Sequence, residues 1–171
     1  MANREALSHQ IEPLYTPAQR ARRDATRWTL VQGVLAPVQF LVFLVSLGLV
    51  LRFLATGNGE SIAAISVVIK TLILYAIMIT GAIWEKVVFG QYLFAKAFFW
   101  EDVFSMLVLA LHTLYISSLL FGWFSVTEQM YIAIAAYATY LINAGQFLWK
   151  LRQARLATPA APAHVAGGLV S

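Results

Sequence analysis

The residues able to do chemistry crowd into one stretch of the chain. Between Trp84 and Phe104 it reads WEKVVFGQYLFAKAFFWEDVF, which sets Glu85, Lys86, Lys96, Glu101 and Asp102 among large apolar and aromatic side chains. Such surroundings disfavour the charged form of a carboxyl group and move it toward a state that can donate a proton near neutral pH. A neighbouring Lys86 or Lys96 pulls the other way. The same charges also suit ordinary helix ends at a membrane interface, where acids near a helix N-terminus are favoured by the helix dipole. Against that plainer reading, Glu85 closes one apolar run and Glu101 opens the next, so a short antiparallel connection brings both to one cleft.

Further along, Glu101, Ser105, Val108 and His112 recur at intervals of four, three and four, which is one face of a helix. Glu101 and His112 are then about 16 Å apart along the axis. That is too far to share a reacting bond but close enough to touch one large flat ligand. His112 suits a metal already carried by such a ligand, or a hydrogen bond to a neighbouring helix. Lys70 stands inside an apolar run, where it snorkels outward, pairs with a ligand carboxylate or serves packing alone. Gln32, Gln39, Asn143 and Gln146 read as interhelical hydrogen-bond partners, and Gln32 and Gln146 also as positioners of a water. No HExxH, GxSxG, P-loop or GxGxxG pattern is present. There are three histidines, two of them in the tails, and no cysteine, so thiolate chemistry is excluded and no metal centre of the protein's own is expected.

The elements that must position these groups are apolar helices. Of 171 residues, 60% are hydrophobic and 12% charged, about half the charged share of a soluble domain. The expected fold is all-α: a polytopic membrane protein with four transmembrane helices at about 28–52, 62–84, 98–121 and 129–149, each long enough to cross about 30 Å of hydrocarbon. Residues 1–27 form an N-terminal segment, without the features of a cleaved signal peptide, and 151–171 an Ala-, Pro- and Gly-rich tail expected to be disordered. Pro37 should kink the first span. Trp28, Trp84, Trp100, Trp123 and Trp149 all fall near span ends, where indole rings favour the interface. Ten Lys and Arg residues lie in the two tails and the middle loop, against Arg52 alone in the other two loops. That asymmetry puts both termini and the Glu85–Glu101 connection in the cytoplasm. The net charge of +4 flanks the apolar runs and forms no basic face for nucleic acid.

Several blocks carry more than their chemistry. LYTPAQRARRDATRWTLVQGVLAPVQFLVFLVSLGLVLRFLATG and VIKTLILYAIMITGAIWEKVVFGQYLFAKAFFWEDVFSMLVLALHTLY, within Leu14 to Leu151, are similar to the 3-vinyl bacteriochlorophyllide hydratase family. Uncharged runs such as LVQGVLAP, and the WEKVVFG and FFWEDVFSMLVLALHT blocks, are not dictated by membrane physics. The resemblance implies a carbon–oxygen lyase of bacteriochlorophyll synthesis in a bacterial inner membrane, cytoplasmic or intracytoplasmic. It would add water to the C3 vinyl group of chlorophyllide a or 3-vinyl bacteriochlorophyllide a, giving the 3-(1-hydroxyethyl) pigment. No separate cofactor is implied, since the magnesium belongs to the substrate, and neighbouring pigment-synthesis enzymes are plausible partners beside the lipid bilayer. The resemblance brings no catalytic motif with it. On chemical grounds, Glu101 or Glu85 is the expected proton donor, and Asp102 or the other glutamate orients the water. Lys86 or Lys96 would stay near the substrate carboxylate at the interface, and Tyr92, Phe98, Phe99 and Trp100 would stack on the ring. The rival reading is a chlorin carrier with His112 as axial ligand and no catalysis; a small transporter finds little support.

Overall fold

A computed structural model of the chain describes residues 14–156, with the backbone alone for 154–156. Five α-helices make up this part: α1 (Pro17–Ala25), α2 (Arg27–Thr56), α3 (Glu60–Phe89), α4 (Phe99–Phe121) and α5 (Val126–Leu156). The tail residues 157–171 and the first thirteen residues, with the expectations attached to them, lie outside the described residues.

Helix α1 was not anticipated, yet its start is written in the chain. Thr16 accepts from the Gln19 amide while the Gln19 side chain accepts from the Thr16 amide, with Pro17 at the first helical position, the reciprocal cap that starts helices. Thr26 then ends α1 and caps α2. The long helices end on glycines in the left-handed region: Gly57 at φ 71° after α2, Gly90 at 90° after α3 and Gly122 at 66° after α4, a conformation without steric cost only for glycine.

Two antiparallel hairpins result. In the first, α2 and α3 are joined by Gln32 Nε2 donating to Thr80 Oγ1 at 2.7 Å, Trp84 Nε1 donating to Thr29 Oγ1 at 2.9 Å, and Ser46 and Ser66 hydroxyls 2.7 Å apart. In the second, α4 and α5 run together from Gln129, which donates to the Ser118 carbonyl at 3.3 Å, to Lys150, which meets Glu101 at 2.6 Å. The hairpins close on a core of Phe43, Val50, Val67, Tyr115, Met130 and Tyr137, in which the Tyr137 hydroxyl lies 2.6 Å from Ser46 Oγ. Outside, Leu41, Val45, Ile62, Ile65, Leu72, Ile79 and Leu120 are exposed, an apolar exterior suited to lipid. Helices α2, α3 and α4 are long and apolar enough to cross a membrane. The first runs unbroken through Pro37, and all the long helices except α4 extend beyond the expected spans by several residues. α5 also carries 151–156, placed in the tail by composition, because Lys150, Arg152 and Gln153 continue a helical turn that packing against α4 has already begun.

Replacing Tyr137 with Phe removes one buried interhelical hydrogen bond and leaves the ring in place. The expected cost is about 0.6 kcal/mol, to be read as a shift in the midpoint of denaturant-induced unfolding in detergent micelles.

Candidate active site

The acid-rich stretch folds into a tight structure at one end of the bundle. α3 carries Glu85 in its last turn, α4 carries Glu101 and Asp102 in its first, and the loop 90–98 lies between them. Both Glu85 and Asp102 are almost fully buried, and their side chains hydrogen-bond each other. Two buried carboxyl groups this close repel each other when both are ionised, which favours holding a proton between them.

The loop secures this pair through its backbone. Phe94 N–H donates to Asp102 Oδ2 at 2.7 Å and Ala95 N–H donates to Glu85 Oε2 at 3.3 Å. Turning two consecutive amides inward requires Phe94 to adopt φ 61°, which costs a residue with a side chain about 1–2 kcal/mol. Local strain of this kind persists where the surroundings over-determine it, typically at functional sites. Beneath the loop, Phe98 is core: it stacks on Phe147 at 5.8 Å and meets Trp84 edge-on at 5.8 Å. It therefore has no face to offer a ligand, contrary to the expectation from sequence. Tyr92, Phe99 and Trp100 are exposed and remain accessible.

Glu101 belongs to a different arrangement. Its Oε2 accepts from Lys150 Nζ at 2.6 Å, and the ammonium also lies 5.2 Å from the Phe98 ring centre. The pair opens on a cavity of about 410 Å³ lined by Glu101, Gly145, Gln146, Trp149, Lys150 and Gln153. One layer deeper, Asn143 Nδ2 donates to Ser105 Oγ at 2.8 Å, while Asn143 Oδ1 and Gln146 Oε1 are buried without a partner. Asn143 is thus the interhelical hydrogen-bond partner that the sequence predicts, whereas the role of Lys150 beside Glu101 is missed. The signal was the seven-residue spacing from Asn143 through Gln146 to Lys150, which lines one face of α5.

Of the remaining candidates, Lys86 donates to the Gly90 carbonyl at 2.8 Å and lies 5.3 Å from the Tyr92 ring centre, which ties it to the rim of the loop. Lys96 is exposed on the same loop. His112 is not with the acids. It is wholly buried, its Nδ1 donates to the Val108 carbonyl at 2.7 Å, and its Nε2 accepts from Lys70 Nζ at 2.6 Å, so both ring nitrogens are engaged. Lys70 is wholly buried too; it does not snorkel, because His112 holds it inside. Among the described residues no three His, Asp or Glu side chains converge as a metal-ligand set.

Residues 15–153 match the family described as 2-vinyl bacteriochlorophyllide hydratase. The chain belongs to that family. A hydratase of that name from Cereibacter sphaeroides is 71% identical over 148 residues, covering 86% of this chain and 92% of its own. Another from Rhodobacter capsulatus is 71% identical over 143 residues, 84% of this chain and 83% of its own. No solved structure matches. The matched segment of this hydratase-family chain takes in all the residues of the two acid arrangements, from Glu85 to Lys150.

Converting Lys150 to Met strands Glu101 without its cation. The expected destabilisation is about 1–3 kcal/mol, below that of a fully buried pair because Lys150 is partly exposed. The double variant Lys150→Met, Glu101→Gln should recover most of it, measured as unfolding midpoints of the four proteins of the cycle.

Proposed function

We propose that the protein is a hydro-lyase that adds water to the ring vinyl group of chlorophyllide a or 3-vinyl bacteriochlorophyllide a, giving the 1-hydroxyethyl pigment of bacteriochlorophyll synthesis. Its relatives are named for a 2-vinyl pigment; locants 2 and 3 number the same vinyl group under two ring conventions. Among the features of the site, the hydrogen-bonded Glu85–Asp102 pair carries this reading most directly, because hydration needs one acid and one base at a single place.

In the proposed reaction the proton shared by Glu85 and Asp102 passes to the terminal vinyl carbon, whose π electrons form the new C–H bond. The positive charge left on the adjacent carbon spreads into the macrocycle. Water then bonds to that carbon through oxygen and returns a proton to the carboxylate pair, which is regenerated. Glu85 is the proton donor and Asp102 the base, since the loop amides leave the two acids facing each other. Glu101, Lys150 and Gln146 line the adjacent cavity and hold the water. Lys86, Lys96 and exposed Trp100 form the rim that meets the pigment, and the magnesium arrives with the substrate. His112, engaged on both nitrogens, is positioned to support the site from below.

The reading includes four membrane crossings with both termini and the acid-bearing loop in the cytoplasm of a bacterial inner membrane. Lys and Arg numbers support that orientation. Pairing of α5 with α4 from Gln129 to Lys150 supports the fourth crossing, since both helices then traverse the same depth. Because the chain has no cysteine, single replacements at Asn58, Gln91 and Ser125 report sidedness through a membrane-impermeant thiol reagent. Gln91→Cys should react only from the cytoplasmic side, and the other two only from the opposite side.

Activity is tested by incubating purified protein in detergent with chlorophyllide a and following the pigment by absorption and mass. A product heavier by one water, formed without added cofactor, is expected; bound but unaltered pigment would favour a carrier. Glu85→Gln and Asp102→Asn should each lower kcat by roughly 10²–10⁴-fold, with Glu101→Gln less harmful. Unchanged turnover in the triple amide variant would remove the carboxyl mechanism.

A further inference from the structure

Lys70 stands apart from every group assigned above. It precedes Glu85 by fifteen residues on α3, about 22 Å along the axis at 1.5 Å per residue. Among the described residues its ammonium has one hydrogen-bond partner, His112 Nε2, and no ion-pair partner. The Tyr140 and Tyr137 ring centres lie 4.4 and 5.5 Å from Nζ, so the surroundings are aromatic and carry no negative charge. A buried ammonium is costly unless an anion meets it, and a charge kept inside a membrane bundle marks a ligand site by default.

Two further features converge on the same region. Gln39 is buried with neither atom of its carboxamide partnered, and Asn143 has an unpartnered oxygen. The pairings Gln32–Thr80 and Ser46–Ser66 set the α2–α3 register, which places Gln39 opposite the turn of α3 that follows Lys70. Unspent polar atoms therefore occupy the interval between Lys70 and the acid-bearing end. The hydrogen bonds crossing from α3 to α4 are themselves exchangeable side-chain pairs: Lys70 with His112, Tyr75 with Thr113 at 2.9 Å, and Glu85 with Asp102. A flat ligand that parts this seam breaks no backbone bond.

We propose that Lys70 binds the carboxylate of the pigment, which replaces His112 Nε2 as its acceptor while the vinyl group lies at Glu85 and Asp102. This rests on the hydratase reading. The substrate is a monoanion and Lys70 has no counter-ion among the described residues, so binding pairs the carboxylate with a buried ammonium. A carboxylate is also a stronger acceptor for an ammonium than an imidazole nitrogen. From Asp102 to His112 the distance along α4 is about 15 Å, a span that suits the macrocycle with its acid side chain extended.

The test compares binding of chlorophyllide a and of its methyl ester to the full chain in detergent, by quenching of pigment fluorescence. The wild type should prefer the free acid about tenfold or more, as expected for one charged hydrogen bond. In Lys70→Met, and again in Lys70→Gln, that preference should fall to about one, while Arg52→Gln retains it. Equal binding of acid and ester by the wild type would overturn the proposal, as would a preference that survives in both Lys70 variants. Loss of the preference in Lys86→Met but not in Lys70→Met would return the carboxylate to the interface. Loss of all pigment binding in both Lys70 variants would make the residue structural and also overturn it. Failure of the hydratase reading shows separately, as a wild type that discriminates acid from ester yet adds water to neither.

Discussion

Inside a bilayer there is no water to satisfy a polar side chain, and the rest of this structure follows from that constraint. A serine, threonine, glutamine or lysine carried by these helices is satisfied by its own helix's backbone, as Thr71 and Ser118 are, or by a partner across a helix–helix seam. Within the hairpins these partners include the neutral Ser46 with Ser66, Gln32 with Thr80 and Asn143 with Ser105, and the ion pair of Lys150 with Glu101. Between the hairpins, the α3–α4 seam brings together Lys70 with His112, Tyr75 with Thr113 and Glu85 with Asp102.

The strained loop and the carboxyl pair depend on one another. Phe94 keeps its positive φ only because its amide and the next find carboxyl oxygens to bind, and the carboxyls stay buried only because those amides satisfy them. Gly90, at φ 90°, ends α3 early enough for the loop to fold back over Glu85. Aromatic packing of Tyr15, Trp84, Phe89 and Phe98 then seals the end of the bundle and keeps water from the pair. The acid is thereby desolvated without being left unsatisfied, a combination that a solvent-exposed helix end cannot offer.

Much of this was legible in the chain. Apolar runs, tryptophans and terminal glycines mark the long helices to within a few residues of their ends, and the acid cluster announces itself by sitting where charges are costly. α5 is read from its uncharged run at 129–149, although Ala133, Tyr137, Thr139, Asn143 and Gln146 dilute its hydropathy, and it pairs with α4 from Gln129 to Lys150. Which acid pairs with which group was not legible at all. Glu101 and Asp102 are neighbours, yet a helix turns about 100° between them, so one faces α5 and Lys150 while the other faces α3 and Glu85. Periodicity places residues on faces, but it does not say which helix each face will meet. Lys150 therefore reads as a topology signal, and Lys70 as a residue that snorkels, pairs with a ligand carboxylate or serves packing.

This split between adjacent acids bears on how the chemistry can run. Protonating a vinyl carbon asks for a proton held weakly enough to leave, and capturing the resulting cation asks for a water held close to a negative charge. One carboxyl cannot do both at the same instant. In the proposed reaction two carboxyls divide the task, Glu85 giving the proton and Asp102 taking one from the water. Glu101 is instead paired with Lys150 and lines the adjacent cavity. The turn of one helix thus separates the buried Glu85–Asp102 pair from an ion pair only one residue away, and gives the two neighbouring acids different surroundings.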